Sequence, residues 1–417
     1  MDRILIRGGK PLNGVIHVRG AKNAVLPLMA AALMAEAPCI LHNVPCLHDV
    51  FSMDKLLSDM GMKIDFTGRT MTLDPGGLNK PEAEYDLVRR MRASFFVLGP
   101  LLARFGKARV SLPGGCAIGS RPVDIHLKSL EAIGAKIRIE DGYVVAEGPL
   151  QGANVSLDFP SVGATENLLM AACMTPGVTR IANVAREPEI EDLARFLNAL
   201  GAQISGAGTD LITIVGVDAL GGAEHVVMPD RIEAGTFLAA GVATRGDVTV
   251  LNANADHLPV FLDKLREMGA TVEVHGSRIR AHAANGLRGV NITTLPYPGF
   301  ATDLQAQIMA AVTCAEGVSI IKETVFENRF MQLAQLNRMG ADIGLDGNAA
   351  IVRGVKAISG APVMASDLRA SAALVIAGLA ASRGETAISR VYHIDRGYER
   401  IEERLAGVGA DIERVRT

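Results

Sequence analysis

The 417-residue sequence predicts an α/β chain of two domains, each assembled from three units of about 70 residues. One reason is length, because a single hydrophobic core rarely extends over so long a chain. The second is an internal repeat. A helical segment ending Leu-x-x-x-Gly-x-x-Ile/Val recurs six times, centred on Gly61, Gly134, Gly201, Gly269, Gly340 and Gly409, at spacings of 67 to 73 residues. The third is a second marker, an Ala-rich apolar helix followed by glycine and a β-rich stretch. It falls at Gly106, Gly177, Gly246, Gly317 and Gly384, 23 to 28 residues ahead of the repeat glycine. Each of these glycines fits a helix C′ position, where a left-handed backbone is costly for any side chain. Three units closing into one compact domain, twice over, is the economical arrangement.

Taken in order, the strand Ile4–Arg7 precedes the first full unit and is expected to complete a sheet among the C-terminal units. The chain crossings then fall near Gly20-Ala-Lys-Asn23 and Pro229-Asp-Arg231, each with a basic residue. In the second unit, residues 108–112 read as a strand and 123–134 as an amphipathic helix. Between them lies Leu112-Pro-Gly-Gly-Cys-Ala-Ile-Gly-Ser-Arg-Pro-Val-Asp124, too rich in glycine to be packing material. Cys116 therefore sits on a loop beside a helix start and a guanidinium, a setting that tunes a thiol for chemistry.

Composition narrows the function. The chain is 49% hydrophobic with mean hydropathy +0.24, yet only 4% aromatic and without Trp, so its core is aliphatic. A net charge of -3 argues against a general nucleic-acid binder. The longest apolar runs, 24–35 and 370–381, are shorter than the roughly 18 residues of a membrane span, and the start of the chain has no signal-peptide pattern. Five cysteines without Cys-x-x-Cys spacing suggest reduced thiols and a cytoplasmic location, with no zinc site. Cys39, Cys46, Cys173 and Cys314 read as packing residues.

Polar clusters interrupt the apolar repeats at Lys22-Asn23, Arg89-Arg90-Met91-Arg92, Arg121, Arg186-Glu187, Asp230-Arg231, Asn328-Arg329, Asp367-Leu368-Arg369 and Asp395-Arg396 through Arg400. Gathered in a cleft they suit a phosphate- or carboxylate-bearing substrate; taken singly they read as surface ion pairs. Spacing alone favours Thr302 or Asp303 as an N-cap, with a catalytic carboxylate as the alternative. His126 reads as structural.

Together with Met91-Arg-Ala-Ser94, Arg186-Glu-Pro-Glu-Ile190, Glu323-Thr-Val-Phe-Glu-Asn-Arg-Phe-Met331 and Tyr392-His-Ile-Asp-Arg-Gly-Tyr-Glu-Arg-Ile401, these motifs resemble the enolpyruvyl transferases, above all those acting on UDP-N-acetylglucosamine. The resemblance implies a two-domain inside-out α/β barrel, with domains at 22–230 and at 1–21 plus 231–417 and the active-site cleft between them. It implies transfer of enolpyruvyl from phosphoenolpyruvate to the 3'-hydroxyl of UDP-N-acetylglucosamine, with release of phosphate and no metal or cofactor. Cys116 matches the catalytic cysteine and Asp303 the candidate base. Lys22, Arg121 and Arg396 match phosphoenolpyruvate contacts, Arg92 a further cation, and Asp367 and Arg369 a pair supporting closure and catalysis. Asn23, Pro122, Val123, Asp124, Ser161, Val162, Gly163 and Val325 match sugar-nucleotide contacts. Phe159 departs from the pattern, standing where some members carry a lysine near the uracil. A shikimate-phosphate transferase and a non-catalytic UDP-sugar sensor are the alternatives.

Overall fold

The computed structural model describes residues 2–416 apart from 89–90, 113–122, 285 and 328, and apart from the side chain of Arg92. The described chain divides into two compact units, residues 20–112 with 123–228, and residues 2–19 with 229–416. Each holds three four-stranded sheets and a core of its own. The fold is the two-unit inside-out α/β barrel: helices occupy the interior and the sheets lie outside them.

In the first unit the interior helices are Lys22–Ala31, Leu98–Phe105 and Val162–Cys173. In the second they are Arg231–Ala243, Gln305–Val312 and Leu368–Ala380. Apolar residues run all round these helices, as in Leu368–Ala380, where every residue but the last is buried. Such a helix has no face for solvent and must be enclosed.

One sheet shows the pattern of all six. Its order is Asn154–Ser156, Val178–Ala182, Leu211–Val215, Gln203–Ser205; the first pair is parallel and the others antiparallel. A parallel pair needs a crossover, and here the buried helix Val162–Cys173 provides it. The sixth repeat is divided between the chain's two ends. Arg3–Arg7 lies between Thr386–Ser389 and Asp411–Val415, antiparallel to both, so the N-terminal strand does complete a C-terminal sheet. Two further parallel pairs join the two chain segments of each unit: Asn13–His17 pairs with Asp247–Leu251, and Glu224–Val226 with Cys39–His42.

The repeated Leu-x-x-x-Gly is a helix stop. At Gly340 (φ +96) the Gly N–H donates to Asn337 O at 2.9 Å, and the next N–H, of Ala341, reaches back to Leu336 O at 3.1 Å. This pair of bonds is the Schellman motif. The same pair recurs at Gly61, Gly134, Gly201, Gly269 and Gly409, all with φ between +99 and +109. Gly246 corrects the expectation for the second marker, since it lacks positive φ and Arg245 (φ +56) takes the left-handed turn instead. A Cβ at Gly246 would lie 2.0 Å from Leu12 O. That glycine answers to a close approach, not to helix termination.

Among the described residues no helix is long and apolar enough to cross a membrane.

Two predictions follow from these elements. A Cβ at Gly340 would meet nothing within 4 Å, so the penalty there is purely conformational. Gly340→Ala is expected to lower stability by about 1–2 kcal/mol without loss of activity; an unchanged urea midpoint would contradict the motif. The second concerns Glu166, inside the Val162–Cys173 helix and 1% exposed. Burial pushes its carboxyl well above the usual range, and Glu189 and Glu187 act the same way. A raised folded-state pKa stabilises the fold below the unfolded value of about 4.3, and that contribution is lost as pH rises toward the folded value. Glu166→Gln is therefore expected to raise the unfolding temperature at pH 8 and to make little difference near pH 4.5, as differential scanning calorimetry reads directly.

Candidate active site

Lys22, Asn23, Arg92, Ser161, Val162, Gly163, Asp303, Asp367 and Arg369 fall at one kind of place, at or just ahead of the N-terminal ends of the buried helices. There the first N–H groups lack intrahelical partners and the helix dipole is positive. Lys22 opens the Lys22–Ala31 helix, followed by Asn23, and its Nζ lies 3.3 Å from Asp49 Oδ2. Asp49 is 3% exposed and on the neighbouring helix His48–Asp59. Arg92 begins the short 3-10 helix Arg92–Val97 that leads into Leu98–Phe105. Ser161 caps the third helix, accepting from Ala164 N at 3.4 Å, with Val162 and Gly163 in its first turn. Phe159, two residues ahead of that cap, is 37% exposed.

Val123 and Asp124 form the start of the amphipathic helix Asp124–Ala132. His126, on that helix, is buried against Phe95 and bonded through Nδ1 to Asn167 at 3.0 Å, the structural role expected. Cys116, Arg121 and Pro122 lie outside the described residues.

The second unit gathers the densest polar cluster. Asp303, in the turn Thr302–Leu304, is not an N-cap: Ala301 holds that position and no side chain caps it. The Asp303 carboxylate instead meets two guanidiniums. Oδ1 accepts from Arg329 Nη2 at 2.7 Å, and Oδ2 accepts from Arg369 Nη2 at 2.7 Å and Nε at 3.2 Å. Arg369 is 3% exposed. Burial pulls its pKa down, but Asp303, Tyr398 and Asp230 together outweigh that and raise it above the ordinary value. Its Nη1 donates to Tyr398 Oη at 3.2 Å. Tyr398, 1% exposed, also bonds Thr236 Oγ1 at 2.8 Å and accepts from Gln307 Nε2 at 3.3 Å. Thus Thr236, Gln307 and Arg369, one from each buried helix, meet at a single hydroxyl.

Two of the clusters read as surface ion pairs are helix caps instead. Asp230 accepts from the N–H groups of Ile232 and Glu233 at 2.8 and 2.9 Å. Asp367 accepts from those of Arg369 and Ala370, both at 3.0 Å. An Asp directly before an apolar run is the N-cap signal that identifies them. Arg396 and Asp367 both act on His393, which the sequence reading passed over. Burial and Arg396 hold its pKa below the ordinary value, against an opposing pull from Asp367. Val325 is fixed through its N–H, which donates to Glu323 Oε1 at 2.8 Å. Tyr398 and Glu323 are the parts that sequence reading missed as partners of the site, because the contacts that tie them to it, Thr236, Gln307 and Arg369 for one and Thr294 and Thr302 for the other, come from distant parts of the chain.

Cys39 and Cys173 are buried core residues and Cys314 packs against the core of its unit, as expected, whereas Cys46 is half-buried. Burial pushes Cys39 up to about 11 and Cys173 up to about 12. Among the described residues no group of three or more His, Cys, Asp or Glu is arranged to hold a metal. What the described cluster offers is a carboxylate aimed by two arginines, helix N-termini suited to anions, and further cations on the same kind of ends.

Comparison with known proteins agrees with this chemistry. The chain is 54% identical over 416 residues to the UDP-N-acetylglucosamine 1-carboxyvinyltransferase of Desulfosudis oleivorans, covering all of both chains. It is 55% identical to the protein of the same name from Granulibacter bethesdensis, again over the full length of both. The crystal structure of the enolpyruvyl transferase NikO from Streptomyces tendae superposes with a TM-score of 0.89 at 27% identity, over 99% of this chain and 98% of that one. EPSP synthase from Acinetobacter baumannii shares the fold alone, with a TM-score of 0.74 at 20% identity over the whole of both chains. The family profile described as EPSP synthase (3-phosphoshikimate 1-carboxyvinyltransferase) matches residues 6–405, and the chain belongs to that family.

Proposed function

We propose that the protein transfers the enolpyruvyl group of phosphoenolpyruvate to the 3'-hydroxyl of UDP-N-acetylglucosamine, releasing phosphate in the first committed step of peptidoglycan synthesis. The observation that carries this reading is Asp303, a partly exposed carboxylate whose two oxygens are each oriented by a buried arginine. Full-length identity above one half to enzymes of that name supports the choice of acceptor.

The reaction is an addition followed by an elimination. Cys116 supplies a proton to C3 of the enol, the sugar hydroxyl adds at C2, and Asp303 takes the hydroxyl proton. The hydroxyl proton becomes strongly acidic only as the C–O bond forms, so a well-aimed acceptor suffices at that moment. Breakage of the C2–O bond then expels phosphate, and C3 returns its proton. Charge on phosphate and carboxylate is met by Lys22, Arg121 and Arg396, with Arg92 adding to the field and Arg369 and Asp367 holding the acceptor end. Asn23, Pro122, Val123, Asp124, Ser161, Val162, Gly163 and Val325 hold the sugar nucleotide. The reaction takes place in the cytoplasm.

Cys116→Ala is expected to abolish sustained phosphate release while titration calorimetry still detects UDP-N-acetylglucosamine; wild-type turnover in that variant would overturn the assignment. Fosfomycin-type epoxides are expected to alkylate Cys116, as peptide mass spectrometry reports. Adducts on Cys39 or Cys173 instead, the thiols held near 11 and 12 by burial, would count against it.

A further inference from the structure

We infer that Glu323 is a positioning residue for this reaction, locking the loop that carries Val325 to the turn that carries Asp303; the inference rests on the enolpyruvyl-transfer reading above. Glu323 follows the strand Val318–Lys322 and is 1% exposed. Its carboxylate accepts four hydrogen bonds and, among the described residues, pairs with no cation. Oε1 receives Thr294 Oγ1 at 2.7 Å and the N–H groups of Val325 and Phe326 at 2.8 and 3.1 Å. Oε2 receives only Thr302 Oγ1, at 2.8 Å. The residue's own backbone is anchored on Asn348, donating to its carbonyl at 2.8 Å and accepting from its Nδ2 at 3.0 Å.

The direction of the chain of bonds is fixed by proton count. Arg329 has donors only, so its Nη1 gives a proton to Thr302 Oγ1, at 2.9 Å. Thr302 has one hydroxyl proton, and Glu323 is its acceptor. Arg329 Nη2 then reaches Asp303 Oδ1 at 2.7 Å. Thr302, Arg329 and Asp303 thus form a closed frame, since Thr302 and Asp303 are neighbours in sequence, and Glu323 holds that frame through Thr302. Within it the two carboxylate oxygens have separate duties: Oε1 shapes the Val325 loop and Oε2 holds the Asp303 turn.

That division makes the inference testable with one isosteric change. In Glu323→Gln the amide oxygen replaces Oε1 and keeps its three donors, while the amide nitrogen replaces Oε2: the Thr302 hydroxyl proton loses its charged acceptor, and the amide can meet Thr302 only by donating to an oxygen that already accepts from Arg329. The Val325 loop is retained and the hold on the Asp303 turn is weakened. Phosphate release is measured with UDP-N-acetylglucosamine and phosphoenolpyruvate each varied, for wild type, E323Q, T302V, the double variant and E323A, with thermal unfolding to verify the fold. Misplacement of a reacting group by a fraction of an ångström to an ångström costs up to about 100-fold. E323Q and T302V are expected to lose about 10- to 100-fold in kcat with the KM for UDP-N-acetylglucosamine within about threefold of wild type. The double variant is expected to be no worse than either single one, because both cut the same link. E323A, which frees both segments, is expected to raise that KM as well. Wild-type kcat in folded E323Q, or fully additive losses in the double variant, would overturn the inference.

Amide hydrogen exchange supplies a readout independent of turnover. E323Q is expected to speed exchange in Thr302–Leu304 and to leave Val325 and Phe326 as in wild type; equal exchange at all these amides overturns the coupling. Should the wild-type protein release no phosphate, the functional reading fails, and the exchange data still decide whether Glu323 couples the two segments.

Discussion

Burying a helix on every side leaves one electrostatic debt, the N–H groups of its first turn. They have no partner within the helix, and the dipole adds positive potential there. Each unit encloses three such helices, so each must bring polar groups to three helix starts. Ser161, Asp230 and Asp367 meet the demand with side-chain caps. At the second helix of the first unit, Asn167 of the third accepts from Gly99 N at 2.8 Å. The opposite ends are closed differently, for example by Arg104, whose Nη1 donates to Leu33 O and Ala35 O. The requirement that lets the helices be buried therefore concentrates acceptors at their starts, where the N–H groups and the dipole also receive an anionic substrate best.

Charge placement within the second unit follows from the same packing. Arg369 sits in the first turn of a fully enclosed helix, where an unpaired guanidinium would be costly. Asp303 on one side and the Tyr398 hydroxyl on the other hold it. Asp230 contributes a further favourable field. Because Tyr398 also binds Thr236 and Gln307, the orientation of Asp303 is tied to the mutual packing of all three interior helices. A shift of any one helix would be felt at the carboxylate.

How much of this was legible in sequence depends on the range of each interaction. The Schellman stop needs a glycine, a carbonyl five residues before the returning N–H, and nothing else, so six copies could be read from the chain alone. Gly246 defeats that reading because its reason is the carbonyl of Leu12, more than two hundred residues away. Asp303 suggested an N-cap because the local pattern of Thr-Asp before an apolar run is a capping pattern. Its actual partners come from 26 and 66 residues further along, and nothing in the spacing announces them. Asp230 and Asp367 are the reverse case, with local signals strong enough to identify them as caps. Glu323 lies in one of the motifs that resemble the enolpyruvyl transferases, yet its duty is visible only once Thr294, Thr302 and the Val325 amide converge on it.

Six equivalent helix starts on a repeated scaffold need not be chemically equal, and here they are not. Lys22, Arg92, Ser161, Asp230, Asp303 and Arg369 stand at or beside corresponding places with different charge and reach. The scaffold demands only that each end be polar; which polar group is used is left open, and chemistry can be distributed over the ends without disturbing the fold. The pairing of distant chain segments within each unit adds a second consequence. Having placed Asn13–His17 against Asp247–Leu251, the chain passes into the other unit and within a few residues begins the helix of Lys22. Having placed Glu224–Val226 against Cys39–His42, it returns and at once begins the helix of Arg231. Both crossings therefore feed directly into helix starts that carry charge. A short connection between an anchored strand and an anchored helix has little freedom, so the positions of Lys22 and Asp230 are set by the same backbone that closes the two units.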